Sequence, residues 1–161
     1  MSVGLTTRTT IVRRAHLNDI NTIIKIISPF VNKLLILPRS RDDIKKNIKL
    51  FFVAENTKKK RIIGVSSIYL YDDHLCEIRS LCVEKRFQRR GVGSALVLRC
   101  EDEARTMGMK KIFALTFNPN FFAKLNYTIS NKEDLPQKIW QDCLKCKLFL
   151  NCKEVPLVKS L

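Results

Sequence analysis

The sequence predicts an α/β domain of the α+β kind, a mixed central sheet with helices on both faces. Three observations carry that expectation. Strand-like runs at Phe51–Ala54, Arg61–Tyr71 and Leu75–Val83 succeed one another around short polar turns, a helical period of apolar residues opens at Val92, and another strand-like run, Lys111–Phe117, follows it. With 161 residues the chain is long enough for one domain with a substantial core and would be cramped as two. It is read as a single domain over 1–161, with a core fold at about 10–130 and a cysteine-containing C-terminal extension over 131–161.

Thr10 to Arg14 reads as the first strand, after which Asn18 or Asp19 caps a helix with Ile20, Ile23, Ile24 and Ile27 on one face. Pro29 is expected to end or restart that helix, and Phe30 to Leu37 to form a second short helical piece stopped by Pro38. Ser40 followed by Asp43 resembles a capping box and starts the next helix, with Ile44 and Ile48 facing inward. Phe51–Ala54 and Arg61–Tyr71 flank a lysine-rich turn as a hairpin, and Asp72-Asp73-His74 turns the chain into Leu75–Val83. Ala95, Leu96, Cys100, Ala104 and Met107 keep a helical period up to a C-cap glycine, Gly108. After Lys111–Phe117, a short helix is expected at Phe121–Leu125 and a brief strand at Tyr127–Ile129.

The 30 Lys and Arg against 15 Asp and Glu give a formal charge of +15, which raises the question of nucleic acid. The charge is spread along the chain, and its one dense run, Lys58-Lys59-Lys60-Arg61, falls in the expected hairpin turn, where a solvated loop explains it. Such a field also steers an anionic cofactor and an acidic substrate. Met1 to Thr10 is polar without an apolar core, and the longest apolar region, Ile20–Leu37, is broken by Lys25, Pro29, Asn32 and Lys33. Neither a secretory signal nor a membrane span is expected, so the chain is read as cytoplasmic and its six cysteines as reduced thiols.

The run Gln88-Arg89-Arg90-Gly91-Val92-Gly93, between a strand and a helix, reads as a cradle for a pyrophosphate. A helix N-terminus leaves four N–H groups without intrahelical partners and carries roughly half a unit of positive charge. An anion fits there. Gly91 and Gly93 let phosphate oxygens approach the backbone, Ser94 adds a hydroxyl, and Arg89 and Arg90 add charge. The spacing matches neither a dinucleotide G-x-G-x-x-G loop nor a Walker loop.

That pattern after a strand resembles the acetyl-CoA pyrophosphate loop of the GNAT N-acetyltransferases. Leu34-Leu35-Ile36-Leu37-Pro38-Arg39-Ser40-Arg41, Cys76-Glu77-Ile78-Arg79-Ser80-Leu81-Cys82-Val83, and Leu115-Thr116-Phe117 with Phe121-Phe122 resemble the acetyltransferase domain of N-acetylglutamate synthase. The tail Leu135-Pro136-Gln137-Lys138-Ile139-Trp140-Gln141-Asp142-Cys143-x-x-Cys146 resembles the short, stand-alone bacterial form. The resemblance implies acetyl transfer from acetyl-CoA, the cosubstrate, to the α-amine of L-glutamate by direct attack in a ternary complex, the first step of arginine biosynthesis. Backbone groups at Leu81, Cys82 and Val83 would pair with the pantetheine arm, and Gln88, Val92, Asn118 and Phe121 join the cofactor set. The partners are thus the small molecule L-glutamate and at most a second copy in a homodimer. Neither nucleic acid nor a membrane is expected.

Within this frame Glu77 is the candidate general base, acting through water, because an incoming ammonium must lose a proton before attack. A salt bridge with Arg79 is the plainer reading; period two puts both on one strand face, where Arg79 could instead hold a substrate carboxylate. Thr116 matches a position that lines the acceptor site in the family, though a strand threonine is more often structural. Arg39 and Arg41 are the candidates for gripping glutamate, since guanidinium pairs bidentately with carboxylate, and would otherwise be surface residues.

Two positions depart from the family pattern. Phe122 stands where many members place a tyrosine that protonates the leaving thiolate, and the chain ends Pro156-Leu157-Val158-Lys159-Ser160-Leu161 in place of an Arg-x-Ser motif. Cys143-x2-Cys146-x5-Cys152 has thiolate spacing that could bind zinc, but no fourth ligand is evident and no metal is assigned. The alternatives are an acetyltransferase for another amine, such as a protein N-terminus, and a non-catalytic CoA-sensing or nucleic-acid-binding module on the same scaffold.

Overall fold

The computed structural model describes residues 9–135 and 142–161, without the side chain of Phe149. Residues 1–8, at the polar N-terminus, and 136–141, which include Trp140 of the family-like tail, lie outside the described residues. Seven strands, β1 (Thr10–Arg14), β2 (Phe51–Asn56), β3 (Arg61–Leu70), β4 (Leu75–Val83), β5 (Lys111–Thr116), β6 (Thr128–Ile129) and β7 (Val155–Ser160), form one sheet in the order β1-β2-β3-β4-β5-β7-β6. The helices are α1 (Ile20–Asn32), α2 (Arg41–Lys46), α3 (Val92–Thr106) and α4 (Pro119–Ala123). The sheet is mixed: β4 pairs with β5 in parallel, whereas β1 with β2, β2 with β3, β5 with β7, and β6 with β7 are antiparallel. The chain divides into two compact units, one comprising the residues up to Tyr69 with Ile78–Glu103, the other Leu70–Glu77 with Ala104–Leu161.

In the first unit, the isoleucine stripe of α1 closes over the sheet. Ile20, Ile23, Ile26 and Ile27 are buried with Ile44 of α2, Phe51 and Val53 of β2 and Val65 of β3, while Ile24 and Ile48 pack at the rim. Pro29 does not break α1, because Phe30 and Val31 beyond it pack against this core and hold the last turn in place. The expected helix from Phe30 to Leu37 is absent: Leu34 adopts φ +57°, with its N–H bonded to Val31 O and the Leu35 N–H to Phe30 O, both at 2.9 Å. These are the two bonds of a Schellman closure, here with a leucine where glycine is usual. At the other end Asp19 does not cap α1 with its side chain. Its carboxylate instead accepts from the His16 N–H (2.8 Å) and from Arg13 Nη1 (2.7 Å), fastening β1 to the helix entry. Burial alone would raise the Asp19 carboxyl, but the Arg13 and His16 contacts hold it below the usual range.

In the second unit β5 lies between β4 and β7, with Glu77 opposite Phe113, Phe113 opposite Val158, and Thr116 opposite Val155. Tyr71, Phe113 and Leu135 form its buried cluster, and Leu75, Leu115, Cys143 and Val158 pack against it. The strand at Val155–Ser160 is not among those expected from the sequence, and it carries a proline, Pro156, opposite Leu115. The sheet accommodates the proline, whose carbonyl accepts the Ser130 N–H at 2.9 Å. α4 starts earlier than the apolar pattern suggests, with the Asn118 side chain capping it and Pro119 in its first turn. Gly108, at φ +80°, closes α3 as expected.

Candidate active site

The donor-side loop lies in the first unit and is shaped by β4. Ser80 sits at φ +54° inside that strand, a left-handed residue just before Leu81–Val83. After Val83 the chain makes one tight turn, and the Gln88 side chain donates from Nε2 to Val83 O at 2.8 Å, so this residue braces the loop from within. Arg89 and Gly91 both have positive φ, +59° and +80°. The first intrahelical bond of α3 runs from Ala95 N–H to Gly91 O at 3.0 Å. The N–H groups of Val92, Gly93 and Ser94 therefore precede the helical ladder, as an anion cradle requires. A Cβ built on Gly91 meets nothing within 4 Å, so the space in front of the turn is open, while φ +80° makes any side chain there strained. Val92 is buried and anchors the helix, whereas Gly91, Arg89 and Arg90 are exposed. Leu81 is half-buried and Cys82 and Val83 are buried. Burial pushes the Cys82 thiol up to about 12, which keeps it protonated and unsuited as a nucleophile.

The three arginines assigned to an acidic substrate also lie in this unit. Arg39 is half-buried in the segment before α2 and makes no hydrogen bond or ion pair among the described residues. Arg41 opens α2 and donates to Asn21 Oδ1 of α1. Ser40 between them accepts the Asp43 N–H at 3.1 Å, so an N-cap fixes the segment that displays both. The Arg79 guanidinium lies over the Tyr69 ring, 3.8 Å from its centroid.

Glu77 belongs to the second unit. It is 7% exposed, and its Oε2 accepts the Tyr71 hydroxyl at 2.7 Å. The Tyr71 ring is itself held against Phe113, centroids 5.6 Å apart. What the strand presents here is a buried carboxylate with a phenolic donor. By the alternation of strands, Leu75 and Glu77 of β4, Phe113 and Leu115 of β5 and Val158 of β7 share one face. Glu154, directly before β7, continues that face. Burial raises its carboxyl, and the Glu77 charge adds to the rise against Lys132 and a 3.6 Å hydrogen bond from Cys152 Sγ. Burial pushes the Cys143 thiol up to about 11, with contributions from Glu154, Cys152, Glu77 and Cys146 in that order. All six cysteines are free, and among the described residues no group of three or more His, Cys, Asp or Glu forms a metal site.

Thr116, Asn118 and Phe121 are brought together by one turn. The Thr116 hydroxyl accepts the Asn118 N–H at 3.0 Å, and Asn118 Oδ1 accepts the Phe121 N–H at 3.4 Å. Their side chains thus shape the passage from β5 into α4. Phe122 is buried, edge-on to Phe121 and Tyr127 at 5.0 and 5.2 Å. Sequence reasoning missed Tyr71 and Glu154. A signal for the first existed in the tight Asp72–His74 turn, which folds Tyr71 back so that its N–H bonds Leu75 O at 3.0 Å. None existed for Glu154, because its place depends on a strand the pattern does not show.

Residues 21–128 match the Acetyltransferase (GNAT) family. An uncharacterized N-acetyltransferase of Chlorobaculum tepidum is 38% identical over 94% of this chain and 97% of its own length. The amino-acid acetyltransferase of Yersinia pseudotuberculosis is 30% identical over 86% of this chain and 32% of its own. Among solved structures, the N-acetylglutamate synthase of Neisseria gonorrhoeae complexed with coenzyme A and N-acetyl-glutamate superposes with a TM-score of 0.85, at 25% identity, over 97% of this chain and 36% of that one. The chain therefore spans about a third of the length of the Yersinia and Neisseria proteins it resembles, and nearly all of the Chlorobaculum one. A mixed sheet, a glycine turn feeding the N-terminus of α3, and these matches place the chain in the GNAT family of N-acetyltransferases.

Proposed function

We propose that the protein transfers the acetyl group of acetyl-CoA to the α-amine of L-glutamate. The observation that carries this reading is the likeness, along 97% of the chain, to a synthase whose structure holds coenzyme A and N-acetyl-glutamate. The donor loop fits the cosubstrate: open space before Gly91 and the N–H groups of Val92, Gly93 and Ser94 suit a pyrophosphate, with Arg89 and Arg90 exposed beside them. Backbone groups of Leu81, Cys82 and Val83 would hold the pantetheine arm as a neighbouring strand does. When bound, acetyl-CoA supplies the thioester carbonyl that an amine attacks.

Glu77 takes a proton from the substrate ammonium, through a water, and Tyr71 holds its carboxylate in one orientation. Orienting the base in advance lowers the reorganisation needed at the moment of proton transfer. Arg39, Arg41 and Arg79 are the cations for the two carboxylates of glutamate, and Thr116 a wall of the acceptor site. Phe122, locked between two rings, has no proton to give, and a thiol with a pKa of about 8.5 leaves without one at a tolerable rate.

The test is release of free CoA from acetyl-CoA by purified protein, with L-glutamate compared against other amino acids, polyamines and peptides with free N-termini. A rate that depends on L-glutamate supports the proposal. Release that prefers a peptide or polyamine overturns the acceptor while leaving the N-acetyltransferase family standing.

A further inference from the structure

Just before the donor loop, one aromatic ring collects cations from two separate stretches of the chain. Phe87 is 7% exposed, and around its centroid stand Lys59 Nζ at 5.7 Å, Arg61 Cζ at 5.8 Å, Arg86 Cζ at 5.6 Å and Arg90 Cζ at 5.9 Å. Lys59 comes from the turn between β2 and β3, Arg61 from the first residue of β3, Arg86 from the turn after β4, and Arg90 from the phosphate loop. The two stretches Lys58–Arg61 and Glu84–Arg90 hold eight cationic side chains and a single carboxylate, Glu84. Glu84 is taken by Arg61 and by Arg86, the latter at 3.4 Å. Neither Lys59 nor Arg90 has a carboxylate within ion-pair distance among the described residues.

Packing like charges this closely destabilises the free protein, and the negative face of the Phe87 ring offsets only part of the repulsion. The backbone cradle at α3 already serves a pyrophosphate, so the side-chain cations beside it are in excess of that need. A second, more highly charged anion fixed next to the pyrophosphate would relieve them. A phosphomonoester fits: it carries about −1.5 to −2 at neutral pH and offers three acceptor oxygens to guanidinium and ammonium donors.

Resting on the acetyl-CoA reading above, we propose that Lys59, Arg61, Arg86 and Arg90, assembled around Phe87, seat the 3′-phosphomonoester of CoA and make the protein select CoA over its 3′-dephospho form. Lys59, Arg86 and Arg90 are exposed at their tips, so the phosphate meets them without displacing core. The ring holds their charged ends together, which lowers the entropy lost when the anion arrives. The pyrophosphate is common to both forms, so discrimination between them reports the cation cluster alone.

The experiment is isothermal titration of the purified chain with CoA and with 3′-dephospho-CoA, in the wild type and in the double variant Lys59→Ala with Arg86→Ala, whose folding is checked by its melting curve. The wild type should bind CoA about tenfold or more tightly than the dephospho form, as a charge-assisted contact of about 1.5–3 kcal/mol implies. In the double variant that ratio should fall toward one, chiefly through weaker binding of CoA. Equal affinity of the wild type for both forms, or a variant that weakens both equally, overturns the proposal. If the wild type binds neither form, the acetyl-CoA reading fails and this proposal with it.

Discussion

Glu77 accepts a hydrogen bond from Tyr71 that can be removed with little change of shape. Replacing Glu77 by Gln keeps a side chain of the same size but removes the proton acceptor, so kcat should fall by about 10²–10⁴, the usual worth of a positioned base. Tyr71→Phe keeps the ring against Phe113 and deletes only the hydroxyl. A hydrogen bond to a charged group contributes about 1.5–3 kcal/mol, so this variant should lose about tenfold or more in kcat. In both variants the KM for acetyl-CoA should stay near that of the wild type, because neither residue lies in the donor loop. Steady-state kinetics with saturating amine decide it, and full activity of Glu77→Gln would show that another group takes the proton. Glu77 was singled out in the sequence because an incoming ammonium must lose a proton and this carboxylate stands on the strand before the phosphate loop. Tyr71 was not, since a tyrosine at a strand end has many ordinary uses and only the hairpin's closure turns its hydroxyl toward the carboxylate.

Among the elements, those specified by their own residues were readable and those specified by neighbours were not. β1 and β4 fall where alternation and turn residues put them, Ser40 caps α2, and Gly108 closes α3. α1 extends through Pro29 because tertiary burial of Phe30 and Val31 outweighs a lost backbone bond, a term no local pattern contains. β7 is set by pairing with β5 and β6, and so is the location of Glu154 at its entry. That location has a consequence for stability. Burial, reinforced by the Glu77 charge, raises the Glu154 carboxyl above its usual 4.5. A raised carboxyl means the folded state holds its proton more tightly than the unfolded chain. The associated stability is present below the unfolded value and is lost as pH rises through the folded value. Glu154→Gln, which can still accept from Cys152, should therefore melt at a higher temperature than the wild type at pH 7. The two curves should converge near pH 4, and thermal melts across that range decide it. A variant less stable than wild type at pH 7 would mean that Lys132 and Cys152 outweigh the burial of the charge.

At the scale of the whole molecule, charge and thiols divide along the same chain in different ways. The +15 was legible as a total, but not that Lys59 and Arg61 of its densest run converge with Arg86 and Arg90 on Phe87, since that requires β3 and the turn after β4 to be neighbours. The cysteines separate into a buried set, Cys76, Cys82 and Cys100, and a half-buried set, Cys143, Cys146 and Cys152. Burial pushes Cys76 and Cys82 up to about 12, the Glu77 charge adding to the first, and Cys143 up to about 11. Only a thiolate alkylates, so at pH 8 Cys143 of the native protein should react with iodoacetamide roughly a hundredfold more slowly than a small free thiol of the ordinary pKa 9.0, and the buried set only on unfolding. The same reagent, read by mass spectrometry along a urea series, reports how the two compact units come apart. Cys76 lies in one and Cys82 in the other, yet both sit on β4, and α3 likewise contributes residues to each unit. A strand cannot keep its ladder on one half while the other half is solvated without fraying at the junction, so the units should unfold together. Cys76 and Cys82 should then become reactive at the same urea concentration. Protection of Cys82 persisting after Cys76 is fully labelled would show instead that the two halves of the strand are uncoupled at Ser80, the residue with φ +54°.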